Sequence, residues 1–262
     1  MPPRRVIGID AGGTKLLGGV VDEDLVVHHR VHRRWRGENL AETLDIFAGA
    51  VEEVRAAAPD VDAVGFGIPA MVEWETGRAV FSNHLPLDDV PFRDLMSERL
   101  GLPVFVDNDS NLGLVAEVRR GAAAGARHAA MVALGTGIGG GLVLNGRLYR
   151  GANGFAAELG HVCVDFDGED CPAACPGRGC LEVEAAGNRI GRDGVAAGLA
   201  DPDSALGRRL AAGQEVMGAI VTELAHDGDA TAREVLEEVG RRLGYGLVGL
   251  VRPPMFSSGT SA

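Results

Sequence analysis

His161, Cys171, Cys175 and Cys180 place one imidazole and three thiols within twenty residues, at intervals of ten, four and five. Zn²⁺ takes four nitrogen or sulfur ligands in a tetrahedron, and closed structural sites often combine three cysteines with one histidine. Glu158 precedes the histidine by three residues and Glu182 follows the last cysteine by two. Carboxylates so close to a rigid metal loop suggest a platform for a polar, hydroxyl-bearing ligand. Cys163 falls outside the ligand spacing and reads as a core thiol.

Three further clusters could do chemistry. Asp10-Ala11-Gly12-Gly13-Thr14-Lys15 follows an apolar run. Its glycines let backbone N–H groups approach phosphate oxygens. Thr14 adds a hydroxyl and Lys15 a positive charge. Asp10 could hold hydrated Mg²⁺, which favours one or two carboxylates together with phosphates. Taken alone, this segment serves an ordinary hairpin equally well. Gly135-Thr136-Gly137-Ile138-Gly139-Gly140-Gly141 satisfies the spacing of a dinucleotide fingerprint, but that fingerprint needs a helix directly after the glycines. Residues 142–149 read instead as a hairpin, so a phosphate-gripping loop between strands is the better reading. Asp107-Asn108-Asp109 ends a short apolar segment, where α/β folds place ligands. A helix cap from Asp109 or Ser110 is the commoner use of such residues.

The elements that must position these residues follow from periodicity. Residues 6–10, 16–21 and 26–31 read as strands, and 39–57 as a helix carrying Leu40, Leu44, Phe47, Val51 and Val54 on one face. Strands are expected at 61–68 and 104–106, with helices at 91–100 and from Ser110 to about 120. The pattern then restarts: a strand at 129–134, the second glycine loop at 135–141, and a hairpin turning at Asn145-Gly146. Beyond the cysteines, helices are expected at 181–198, 204–226 and 229–250. Two related α/β halves result, residues 1–107 and 108–251, followed by an unpatterned tail at 252–262.

With 37 acidic against 25 basic residues, the chain carries a net charge of −12. Such a balance argues against nonspecific binding to nucleic acid or anionic membrane. The run Arg33-Arg34-Trp35-Arg36 reads as a solvated loop. Apolar residues make up 46% of the 262 residues, enough for a sizeable core. No transmembrane-length run and no signal-peptide pattern occurs, which makes the cytoplasm the default location.

In order and spacing, DAGGTK (10–15), VDNDSN (106–111), GTGIGGG (135–141), ELGH (158–161) and GRGCLE (177–182) resemble the ROK family of repressors and sugar kinases. The resemblance spans about residues 5–250 and is to the bacterial glucokinases in particular. It implies an actin/hexokinase-like (ribonuclease H-like) two-domain α/β fold with a structural zinc loop. It implies ATP and a hexose as ligands, Mg²⁺ with the ATP, and a homodimer as a common state. Asp109 resembles the general base. Asn108, Glu158, His161 and Glu182 resemble sugar-binding residues, joined by Asn83 or His84 where the family has Asn-Leu-Pro. Asp10, Gly12, Gly13, Thr14 and Lys15 resemble one phosphate loop, and Gly135, Thr136, Gly137, Gly139 and Gly140 the other. His161, Cys171, Cys175 and Cys180 resemble the zinc ligands.

Two departures stand out. The family cluster has one residue between its first two cysteines, whereas three separate Cys171 and Cys175. Family members also continue past a helix like 241–251 into an adenosine-binding segment, so a truncated C-terminal half with impaired nucleotide binding is the expectation here. Nine residues precede Asp10, so a DNA-binding domain like that of the family's repressors is not expected here.

Overall fold

The computed structural model describes residues 5–12, 15–172 and 175–250. Gly13, Thr14 and the tail at 252–262, all named above, lie outside the described residues.

By compactness the chain divides into Met1–Met131 with Gly141–Ala157, and Val132–Gly140 with Glu158–Ala262. In the first unit, β1 (Val6–Ala11), β2 (Lys15–Val21) and β3 (Val27–Arg34) form an antiparallel meander. Helix α1 (Leu40–Ala57) then crosses to β4 (Ala63–Ile68), which lies parallel to β1. A small hairpin of β5 (Met71–Glu73) and β6 (Arg78–Phe81), absent from the sequence reading, precedes α2 (Phe92–Leu100). Strand β7 (Val104–Asn108) completes a five-stranded sheet ordered β3-β2-β1-β4-β7. Parallel neighbours need long crossovers, and α1 and α2 supply them.

Alternation decides which sheet face is buried. Ile7, Ile9, Val64, Phe66 and Ile68 share one core with the α1 stripe Leu44, Phe47, Val51 and Val54. Phe47 anchors it, its ring centroid lying 4.9 Å from Trp35 and 6.1 Å from Phe66. The same registers align Asp10 with Gly67, and Gly67 with Asp107, in one row at the C-terminal ends of the parallel strands.

Helix α3 (Asp109–Arg120) follows β7 directly. Its cap is Asn108, whose Oδ1 accepts from the N–H groups of Ser110 and Asn111, so the expected caps Ser110 and Asp109 are displaced by one position or more. Strands β8 (Ala129–Leu134), β9 (Ile138–Leu144) and β10 (Arg147–Leu148) form a second sheet. Its hairpin turns where expected, with Asn145 and Gly146 both at positive φ (55° and 77°), the geometry that favours Asn-Gly. The glycine loop is shorter than expected, because Ile138 to Gly141 already belong to β9.

In the second unit a 3-10 turn (Leu159–His161) precedes the cysteine loop. Helices α4 (Leu181–Ala185), α5 (Gly187–Ala200), α6 (Ala205–Ala211), α7 (Gly218–His226) and α8 (Ala230–Val248) follow. The single helix expected at 181–198 breaks at Ala186, which turns extended (ψ 170°) as the Gly187 N–H reaches the Gly135 carbonyl at 2.9 Å. That expected at 204–226 ends at Gly213, which adopts φ 69°. Among the described residues no helix is long and apolar enough to cross a membrane.

Candidate functional site

In the first unit, chemistry gathers at the strand ends. Asp109 opens α3, and its Oδ1 accepts from the Ser110 N–H at 2.7 Å and the Ser110 hydroxyl at 3.3 Å. Its Oδ2 has no hydrogen-bond partner among the described residues. Asp10 lies close enough for the two carboxylates to interact. Loss of hydration, and secondarily the Asp109 charge, raise the Asp10 carboxyl above its ordinary value of 3.8. Asp10 has no cationic partner among the described residues. An acid pair of this kind, without a cation, fits a divalent ion held through Asp10.

Asn108 uses its Oδ1 as the cap and donates its Nδ2–H to the Ala70 carbonyl at 3.3 Å. Asp107, 4% exposed, was not assigned a role from sequence. Its Oδ2 accepts from Arg150 Nε at 2.8 Å and pairs with Nη2 at 2.7 Å. Its Oδ1 accepts from the Asn108 N–H and from Asn111 Nδ2. The first turn of α3 is thus held from beneath by a buried carboxylate. The Asn at four residues past Asp107 was the only local signal for it.

Gly12, just past the end of β1, also gains an unforeseen brace. Trp35 Nε1–H donates to the Gly12 carbonyl at 3.1 Å while its ring packs on Phe47. The run around it is therefore a solvated loop only in part, Arg36 being exposed beyond the strand while Trp35 is half-buried. Arg33 and Arg34 close β3, and Arg33 pairs with Glu53. Lys15, the first residue of β2, is exposed. Asn83 and His84 are exposed on a loop pinned by Ser82, whose hydroxyl donates to the Pro69 carbonyl at 2.6 Å and accepts from the His84 and Leu85 N–H groups.

In the second unit, Gly135 to Gly137 form a tight turn, the Gly135 N–H donating to the Gly137 carbonyl at 2.9 Å. The first amides of α5, Gly187 and Asn188, donate to the Gly135 and Thr136 carbonyls. The positive end of a fourteen-residue helix therefore abuts the turn. Glu182 Oε2 accepts from the Ile138 N–H at 2.8 Å. Gly160 approaches β9 so closely that a Cβ would stand 2.3 Å from the Ile138 carbonyl. The 3-10 turn that carries His161, entered through Glu158, is thereby seated on the end of the glycine turn.

The expected metal ligands converge. The ligand atoms of His161, Cys171, Cys175 and Cys180 all lie within 4.8 Å of one another. His161 Nδ1 is 3.4 Å from Cys171 Sγ, and the Sγ atoms of Cys175 and Cys180 are 4.0 Å apart. Zinc–sulfur bonds of about 2.3 Å in a tetrahedron require ligand separations of about 3.8 Å, so the set fits Zn²⁺. Nδ1 faces the cluster, which leaves Nε2 for another partner. Burial first, and then the neighbouring thiols, push the Cys171 thiol well above its ordinary range, and burial also raises Cys180. A bound cation would reverse both shifts by stabilising thiolates. Residues 173–174, inside the widened Cys171–Cys175 interval, lie outside the described residues. Cys163 is exposed rather than a core thiol, because segment 162–163 runs over the surface of the loop, where Val162 is 46% exposed.

Sheet order, strand-end carboxylates, glycine turns and His–Cys₃ loop together define an α/β protein of the actin/hexokinase-like class. Residues 6–253 match the ROK family, and the chain belongs to that family. A glucokinase of Thermotoga maritima is 35% identical over 255 residues, covering 96% of this chain and 79% of the relative. A putative xylose repressor of Caldicellulosiruptor sp. is 30% identical, over 94% of this chain and 62% of its own length. The crystal structure of a ROK family glucokinase from Streptomyces griseus in complex with glucose and AMPPNP matches with a TM-score of 0.85 at 33% identity, covering 94% of this chain and 78% of that one.

Proposed function

We propose that this chain, an ATP-dependent sugar kinase, transfers the γ-phosphoryl group of ATP to the primary hydroxyl of a hexose, with glucose the first candidate. The observation that carries the reading is Asp109. A carboxylate at the end of a parallel strand, oriented through one oxygen by Ser110, keeps its other oxygen available as a base. Phosphoryl transfer depends on alignment and charge stabilisation rather than on a covalent intermediate. Asp109 Oδ2 accepts the hydroxyl proton as the sugar oxygen attacks phosphorus. Asp107 and Arg150 hold the strand end from which Asp109 projects.

The two glycine segments, Gly12 to Lys15 and Gly135 to Gly140, would cradle the phosphates, the second chiefly through the Thr136 and Gly137 N–H groups because the Gly135 N–H is already held by the Gly137 carbonyl. Mg²⁺ held at Asp10 would neutralise phosphate oxygens as charge moves to the leaving group. Asn108, Glu158, His161, Glu182 and the loop of Asn83 and His84 supply partners for ring hydroxyls. Zinc held by His161, Cys171, Cys175 and Cys180 would be structural, fixing the loop that presents Glu158 and His161.

The test is ATP-dependent phosphorylation across glucose, fructose, N-acetylglucosamine and N-acetylmannosamine, with Asp109→Asn alongside. Turnover should be highest on glucose and fall at least about a hundredfold in the variant, the usual range for a lost general base. Equal turnover of wild type and variant would remove Asp109 from the reaction. A preference for another sugar would move the substrate assignment within the family.

A further inference from the structure

The first unit contains a cavity of about 600 Å³ lined by none of the residues assigned above to sugar or ATP. Three segments wall it. Val115, Val118 and Arg119 come from one face of α3, at the i, i+3, i+4 spacing that puts side chains on one side of a helix. Arg147, Tyr149 and Arg150 come from β10 and the residues after it, and Trp74 follows β5.

The charge of this cavity runs against that of the chain. Three arginines line it and no carboxylate does, in a protein of net charge −12. Arg150 is committed, paired with Asp107 and standing 5.4 Å from the Trp74 ring centroid. Arg119 and Arg147 have no carboxylate partner among the described residues, and both are exposed. A guanidinium presents a planar fork of donors that matches oxyanions in pairs. Two such forks balance the two charges of a phosphate monoester. The remaining walls are amphipathic. Trp74 and Tyr149 are each 48% exposed beside buried Val143, giving aromatic faces on which the C–H face of a sugar ring can lie. The volume is in the range of small-ligand sites.

We propose that this cavity binds a sugar phosphate, with Arg119 and Arg147 on the phosphate and Trp74 and Tyr149 against the body. The site goes beyond the kinase reaction proposed above and does not depend on it. It has two physical connections to Asp109. Helix α3 carries Asp109 at its start and Arg119 ten residues on, about 15 Å at the helical rise. Arg150 lines the cavity and grips Asp107, two residues before Asp109.

The chain has two tryptophans, so Trp35→Phe leaves Trp74 as the sole indole reporter. Its fluorescence should respond saturably to a hexose 6-phosphate, with inorganic phosphate at least about tenfold weaker. Arg119→Ala/Arg147→Ala should weaken the hexose 6-phosphate at least about tenfold with an unchanged melting temperature, since both side chains are exposed. Arg119→Lys/Arg147→Lys, which keeps the charge and loses the fork, should weaken it severalfold. Asp109→Asn should leave it unchanged, which separates this cavity from binding at the reaction site. Calorimetry on the unsubstituted protein should give the same affinity as the fluorescence. The proposal fails if neither fluorescence nor calorimetry detects binding, or if removing both arginines leaves the affinity unchanged. It also fails if inorganic phosphate binds as well as the ester, or if Asp109→Asn abolishes the response.

Discussion

The Glu182 carboxylate holds the backbone N–H of Ile138 at 2.8 Å, joining α4 to the end of the glycine turn across forty-four residues of chain. The same helix begins just after Cys180, so cysteine loop and turn are tied through one side chain. Glu182→Ala leaves this amide without its acceptor and should cost about 1–3 kcal/mol, the range for a buried polar group left unpaired. Glu182→Gln keeps an oxygen in place and should cost less than about 1 kcal/mol. Denaturant unfolding of the two variants checks the contrast. A raised KM for sugar in the glutamine variant, at unchanged stability, would add a direct role in sugar binding.

Arg150 and Asp107 form a largely buried ion pair beneath the first turn of α3. Arg150→Met strands a carboxylate that is 4% exposed, and breaking such a pair from one side costs about 3–5 kcal/mol. Arg150→Met/Asp107→Leu should recover part of that loss, which a double-mutant cycle on unfolding midpoints measures. Equal losses in the single and double variants would show that the pair itself is not the source.

The His–Cys₃ cluster should hold one zinc per chain, read by elemental analysis. Cys175→Ser should lower both zinc content and melting temperature, because metal binding contributes directly to folding. Zinc requires thiolates, and burial raises the Cys171 and Cys180 thiols. Proton release on binding then makes zinc affinity weaken as pH falls. Chelator titrations in mildly acidic and mildly alkaline buffer should show earlier loss of metal in the acidic one.

Asp10 titrates above its ordinary value of 3.8 in the folded state. The folded chain therefore binds more protons than the unfolded chain between that value and the raised one. Stability falls as pH rises through this window. In magnesium-free buffer Asp10→Asn should be more stable than wild type above the window. The two should converge below the ordinary carboxylate range, where Asp10 is neutral in both states. Added Mg²⁺ should narrow the gap at neutral pH by stabilising the ionised wild type. Melting curves across pH, with and without Mg²⁺, test the sign.

Local pattern was enough to find much of this protein. Two glycine segments, the strand end before Asp109, the Asn145-Gly146 turn and the His–Cys₃ spacing were legible because each depends on a few consecutive residues or on ligand chemistry. Helix breaks at Ala186 and Gly213 were not, since the apolar period continues past both. Ala186 turns extended for a bond to Gly135, a residue more than fifty positions earlier. Trp35 read as solvated because its neighbours are arginines, yet the sheet brings it to Gly12 and Phe47. Nothing in the residues around Arg150 marks it, and only the fold carries it to Asp107. The sequence by itself determined which groups can do chemistry, because side-chain type and short spacing are covalent facts. Tertiary structure decided which backbone amides and carboxylates brace them, because those partners meet only after distant segments pack.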